Sequence, residues 1–137
     1  MKALFILVIL TVFGSITMQQ YSRRELINIY ELACMADTNV TESEFRKFIT
    51  NGMKANEATS DIKCMIMCVM EKRGILKKGT FDTERAYKEI MIVGELKGHE
   101  DEIKEAVHNC KAEKGCHDCD TAFKITMCLQ EFSSRNK

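Results

Sequence analysis

Apolar residues recur along this chain at helical spacing. From Tyr21 to Ala36, Leu26, Tyr30 and Ala33 fall on one face, with Ile27, Ile29 and Cys34 beside them, which is the repeat of an amphipathic helix. A second helix is predicted from Glu42 to Asn51. Thr41-Glu42-Ser43-Glu44 reads as a capping box, with Val40 and Phe45 at the positions of a hydrophobic staple and Gly52 as the stop. A third runs from Ser60 to Arg73 and carries Ile62, Met65, Ile66, Val69 and Met70 inward. Gly74 suits the left-handed position after it, and Ile75 can then close against Met70. Lys77-Lys78-Gly79-Thr80 is a turn. A fourth helix starts at Asp82 or Thr83, carries Ala86, Tyr87, Ile90 and Met91, and ends before Gly94. The fifth, Glu100 to Lys111, repeats Ile103, Ala106, Val107 and Cys110 at helical intervals, and Gly115 lies beyond it. The sixth, Asp118 to Phe132, carries Cys119, Ala122, Phe123, Thr126 and Leu129 inward. No alternating stretch of strand length, repeat or low-complexity segment interrupts them. The fold class is therefore all-α, with six short helices.

The N-terminus has a different pattern. Lys2 precedes an uninterrupted apolar run from Ala3 to Phe13, and Ser15 and Thr17 fit the small-residue positions before a cleavage point. This is the layout of a secretory signal peptide over residues 1–17, with a mature domain over 18–137. The run is too short for a stable membrane anchor, which needs about 20 apolar residues. No second stretch could span a bilayer, so no membrane partner is expected and the mature protein should be secreted and extracellular.

Composition narrows the class further. The 137 residues hold 20 Lys and Arg against 20 Asp and Glu, and this balance argues against a nucleic-acid partner. An apolar share of 45% is too high for a disordered chain. The absence of Pro and the presence of only seven Gly leave few enforced breaks, which suits helices. His99, His108 and His117 share no helical face with carboxylates at catalytic spacing, and there is no Gly-rich phosphate loop, HExxH or GxSxG. The expectation is a protein that is not an enzyme and uses no cofactor. Lys77, Lys78, Lys111 and Lys114 are scattered, as on solvated faces. Asn39-Val40-Thr41 is an N-glycosylation sequon, although the capping role of Thr41 accounts for it without a glycan. Met65, Met70, Met91 and Met127 sit at helical positions, where flexible thioethers suit either a core or a shape-tolerant pocket.

Seven cysteines, at 34, 64, 68, 110, 116, 119 and 128, point to an oxidising compartment. Cys64 and Cys68 lie one helical turn apart, with Cβ atoms about 6 Å from each other, whereas a disulfide needs about 3.8 Å. They should staple the third helix to two different partners. A bridge between Cys110 and Cys128 would lock the last two helices as a hairpin. Six cysteines still allow 15 connectivities, so geometry leaves the pairing open.

The gaps of 29, three, 41, eight and eight residues between Cys34, Cys64, Cys68, Cys110, Cys119 and Cys128 resemble the six-cysteine framework of insect odorant-binding proteins of the pheromone and general odorant type. The stretch Cys68 to Phe81 (CVMEKRGILKKGTF) is similar to that family's third-helix exit. The resemblance covers the whole mature chain. It implies the pairs Cys34–Cys68, Cys64–Cys119 and Cys110–Cys128, and six helices around a central apolar cavity stapled by them. It implies a carrier for a small hydrophobic molecule (an odorant, pheromone or lipid), with a chemoreceptor as a further partner and the chain a monomer or weak homodimer. It also suggests Met70, Ile75, Phe81, Ile90, Val107, Ala122 and Leu129 as wall residues, with Tyr30 and Thr126 as polar contacts.

Cys116 is extra to that framework. Cys116-His117-Asp118-Cys119 is a CxxC with a neighbouring His, which as a functional motif would be a metal or redox site. A free surface thiol at Cys116, with no metal bound, is the expectation, because Cys119 is needed for the framework. Two other readings stay open: a secreted signalling or inhibitory protein with a filled core, and a metal-binding module on Cys116, His117 and Cys119. Only nine residues, Leu129 to Lys137, follow Cys128. So short and polar a tail is not expected to fold into the cavity as a plug, though Leu129 and Phe132 could close one side of it.

Overall fold

Among the residues described by the computed structural model, 23–92 and 96–135, six helices form. They are α1 (Arg23–Thr38), α2 (Glu42–Thr50), α3 (Ser60–Lys72), α4 (Thr83–Met91), α5 (Glu100–Cys110) and α6 (Asp118–Arg135). The leader read at residues 1–17, the helix start at Tyr21 and the stop at Gly94 lie outside the described residues. A 3-10 turn, Ala55–Glu57, precedes α3, and two-residue strands β1 (Leu76–Lys77) and β2 (Thr80–Phe81) follow it.

Local chemistry fixes most helix ends. At α2 the Thr41 N–H donates to Glu44 Oε2 at 2.9 Å and the Glu44 N–H donates to Thr41 Oγ1 at 3.2 Å, the reciprocal capping box. Thr59 caps α3 by accepting from the Ile62 N–H at 3.2 Å, and Asp82 caps α4 by accepting from the Arg85 N–H at 2.9 Å. At the far end of α3 the Ile75 N–H donates to the Met70 carbonyl at 2.9 Å and the Gly74 N–H to the Glu71 carbonyl at 2.9 Å. This is the expected Schellman closure. The predicted turn is a tight hairpin. Lys78 and Gly79 have φ of 50° and 75°, as a two-residue type I′ loop requires, and Leu76 pairs with Phe81 across it. Both side chains are buried.

The packing order is α1, α3, α6, α5, α4, with α3 against both α1 and α6, and α5 against both α6 and α4. Met65, Leu76 and Ile125 are among the most enclosed side chains. The disulfides join Cys34 to Cys68, Cys64 to Cys119 and Cys110 to Cys128, with Cα atoms 5.7, 4.6 and 5.6 Å apart. Cys64 and Cys68 thus have separate partners. Each bridge closes a loop worth about 3–4 kcal/mol in the chain-entropy picture.

The structure departs from the sequence reading at several places. Helix α1 continues two residues past Ala36 to Thr38, whose hydroxyl donates to the Cys34 carbonyl at 2.7 Å. Its inward face runs through Cys34, while Ala33 is exposed. Helix α6 continues past Phe132 to Arg135, with Arg135 paired to Glu131 at 3.2 Å. On α4 a carboxylate is buried beside Ala86: Glu89 lies 3.0 Å from Arg85 and 3.4 Å from Arg73. Two guanidiniums, from α4 itself and from the end of α3, make this burial tolerable.

Candidate ligand cavity

A cavity of about 440 Å³ opens between α4, the segment leading into α5, α5 itself and α6. Ile90 comes from α4, Leu96 from the connecting segment, and Ile103 and Ala106 from α5. Helix α6 supplies Thr126, Leu129, Gln130, Phe132 and Ser133, most of them on one face at intervals of three and four. The walls are chiefly apolar, and His99 and Glu102 stand at the edge with His99 Nδ1 3.1 Å from Glu102 Oε2. The Thr126 hydroxyl is turned to its own helix, 3.0 Å from the Ala122 carbonyl, and also lies 3.5 Å from Met70 Sδ. Gln130 Nε2 donates to the Gly52 carbonyl at 3.4 Å, while its Oε1 is enclosed without a hydrogen-bond partner among the described residues. Among the described residues, no Lys or Arg lines the cavity.

Of the nine ligand contacts suggested by the resemblance, the structure brings Ile90, Thr126 and Leu129 to this cavity. Met70, Ile75, Phe81, Val107 and Ala122 lie in the packed core. Tyr30 is half-buried on α1 and is not part of the lining. Helical periodicity marks a residue as inward; it does not distinguish a wall from a filled interior. Gln130 and Ser133 extend the α6 stripe beyond Leu129 and could have been read from it. Leu96, His99 and Glu102 carry no such signal, because an irregular segment sets the approach to α5.

Two other hollows are more polar. One of about 540 Å³ has Glu44, Lys47, Glu57 and Asp61 in its lining, and one of about 640 Å³ has Lys63, Asp120, Lys124 and Glu131. Charged linings of this kind do not suit an apolar guest.

The start of α6 shows what Cys116 does. Cys119 is bound to Cys64, so the CxxC stretch offers one thiol, the exposed Cys116. His117 Nδ1 accepts the Asp120 N–H at 3.3 Å, as a helix cap. Asp120 Oδ1 lies 2.7 Å from Lys63 Nζ, and Oδ2 accepts the Cys116 N–H at 3.2 Å. The Lys63 ammonium first, and that N–H second, hold the Asp120 carboxyl far below the ordinary carboxylate range. These side chains organise a helix start, and no metal-holding cluster of three or more His, Cys, Asp or Glu occurs among the described residues.

The comparisons with known proteins converge. General odorant-binding protein 56a of Drosophila melanogaster is 32% identical over 132 residues, covering 96% of this chain and 88% of that protein. Odorant-binding protein 10 of Aedes aegypti is 28% identical over 103 residues, covering 74% and 69%. The solved structure described as the fatty acid binding protein OBP56a from the oral disk of the blowfly Phormia regina superposes with a TM-score of 0.67 at 26% identity. It covers 85% of this chain and 97% of its own. OBP28a of Drosophila melanogaster shares the fold, with a TM-score of 0.68 at 20% identity over 81% of this chain and 92% of its own. The profile of the PBP/GOBP family matches residues 17–132, and the chain belongs to that family of insect odorant-binding proteins.

Proposed function

We propose that the protein is a secreted carrier. It takes one small, mainly apolar molecule (an odorant, a pheromone or a lipid) into the cavity between α4, α5 and α6 and carries it through extracellular fluid towards a chemoreceptor. The observation that carries this reading is an apolar hollow of about 440 Å³ in a member of an odorant-binding family. That volume falls within the usual span of small-molecule sites, about 300–1,000 Å³. The blowfly protein's description as fatty-acid binding supports a lipid-like guest. Function here is uptake and release. Burial of apolar ligand surface supplies affinity at about 25 cal/mol per Å², less the cost of immobilisation. The three cross-links let a small domain keep a hollow that would otherwise destabilise it.

The reading is tested with N-phenyl-1-naphthylamine, whose emission rises in apolar surroundings. Uptake by the folded protein and displacement by apolar competitors are expected. Ala106→Phe, which fills the hollow from α5, is expected to weaken uptake at least about tenfold while helical circular dichroism is retained. A folded wild-type protein that takes up no probe overturns the carrier reading. Export is tested separately: the mass of the protein recovered from an insect-cell medium should correspond to a chain beginning at Met18.

A further inference from the structure

We infer that Asn39 is a modification site: its side-chain amide takes an N-linked glycan as the chain enters the secretory route. The sugar then stands outside the ligand cavity. This rests on the reading of the protein as secreted, since only an exported chain meets the enzyme that transfers the sugar.

Asn39-Val40-Thr41 is the only Asn-x-Ser/Thr triplet in the sequence, and that triplet is the acceptor pattern of exported chains. The fold leaves room for the product. Asn39 is exposed in the turn between α1 and α2. Its φ is 56°, a left-handed state that Asn adopts more readily than most residues. It borders the hollow of about 540 Å³ whose lining includes Glu44, Lys47, Asn51 and Asp61. Such a lining offers hydrogen bonds to sugar hydroxyls and acetamido groups. Asn39 takes no part in lining the cavity between α4, α5 and α6.

Two features of the finished fold would close the triplet to a transferase. Val40 is buried, and Thr41 Oγ1 is engaged by Glu44, 2.6 Å from Oε2 and 3.2 Å from the backbone N. Neither is in place while the chain is being made. Helix α2 has nine residues, and isolated helices shorter than about 12–15 residues are marginal in water. Its buried Phe48 packs near Phe123 of α6, with ring centroids 6.4 Å apart. Phe123 is translated long after Asn39, so the triplet is still open when it meets the transferase. Thr41 thus serves twice: the transferase reads its hydroxyl first, and the same hydroxyl later caps α2.

The step is a substitution with no change of oxidation state. Asn39 Nδ2 attacks the anomeric carbon of an oligosaccharide carried on a lipid diphosphate. A carbon–nitrogen bond forms, and the anomeric carbon–oxygen bond breaks with its electron pair leaving on the lipid diphosphate. One amide proton passes to a base of the transferase.

The test uses the full chain expressed in insect cells and collected from the medium. Its mass is read before and after peptide N-glycosidase A in heavy-oxygen water, which turns a sugar-bearing Asn39 side chain into a labelled carboxyl. Most exported chains are expected to carry N-acetylglucosamine and mannose units, with the label on residue 39. Asn39→Gly suits the positive φ, and Thr41→Gly caps a helix about as well as Thr. Each is expected to lose the glycan completely while helical circular dichroism and uptake of N-phenyl-1-naphthylamine persist. Thr41→Ser keeps the hydroxyl and is expected to keep the glycan. Exported wild-type protein bare at residue 39 overturns the inference and leaves the carrier reading standing, and this arm needs no variant. A glycan that survives Thr41→Gly overturns the role of the triplet. A chain held in the cells and unmodified overturns both the inference and the export on which it rests.

Discussion

Replacing Gly115 by Ala places a methyl group where the start of α6 already stands. A Cβ built at residue 115 lies 2.6 Å from the Asp120 carbonyl carbon and 2.6 Å from the Asp120 Cβ. Non-bonded carbons settle at about 3.5–4.0 Å, so roughly 1 Å of separation has to open. The obstacle is backbone inside a helix, pinned next door by the Cys64–Cys119 bridge and through its side chain by Lys63, so it cannot swing aside. Moving it strains two hydrogen bonds: the Gly115 N–H to Thr121 Oγ1 at 2.9 Å and the Cys116 N–H to Asp120 Oδ2 at 3.2 Å. Overpacking costs about 1–3 kcal/mol, and each hydrogen bond contributes about 1 kcal/mol, so the expected loss is about 2–5 kcal/mol. For a domain of this size that lowers Tm by about 10–20 °C. The assay is thermal unfolding by far-ultraviolet circular dichroism with disulfides intact. Cys116→Ala, one residue on and exposed, serves as the control and should stay within about 2 °C of the wild type. A Gly115→Ala protein melting within about 3 °C of the wild type would refute the argument that this turn is closed onto α6.

Further outcomes follow from the same features. Asp120 has its carboxyl held below the ordinary value, so its stabilisation is complete above its unfolded value of about 4 and fades as pH falls below it. The Tm difference between wild type and Asp120→Asn should therefore be steady above about pH 5 and shrink under more acid conditions; a gap independent of pH contradicts this. Cys116→Ser should leave stability and probe uptake nearly intact, whereas Cys119→Ser should cost about 2–5 kcal/mol or abolish folding. Peptide mapping without reduction should recover the three bridges with Cys116 outside them. Deleting Ser133 to Lys137 removes one edge of the cavity and should lower affinity, but the ratio of affinities near pH 7 and near pH 5 should not change. Loss of a strong pH dependence on truncation would make the tail a plug after all.

Much of the fold was legible because it is dictated locally. The capping box at Thr41 and Glu44, the closure from Met70 to Ile75 and the turn at Lys78-Gly79 each follow from a few adjacent residues. The disulfide pairing was legible only through the resemblance, since spacing excluded Cys64–Cys68 and left the rest undecided. Features that depend on distant partners were not visible. Glu89 reads as solvent-facing until Arg73 and Arg85 converge on it, and Asp120 until Lys63 arrives from α3. The cavity was half legible: Ile90, Thr126 and Leu129 stand on inward stripes, but so do Phe81 and Val107, which the core absorbs. Which inward positions border empty space depends on how five helices settle against one another, and no single stripe records that.

The three disulfides run from α1 to α3, from α3 to α6 and from α6 to α5, which makes those four helices one covalent frame. Helix α4 carries no cysteine and borders the cavity through Ile90. Two walls of the hollow are therefore cross-linked while the third is held by non-covalent contacts, the Glu89 ion pairs and the Arg85 hydrogen bond to the Arg73 carbonyl among them. Helix α4 is thus the wall of the hollow that carries no cross-link, and substitutions along it reshape that wall without touching a residue of the cross-linked frame.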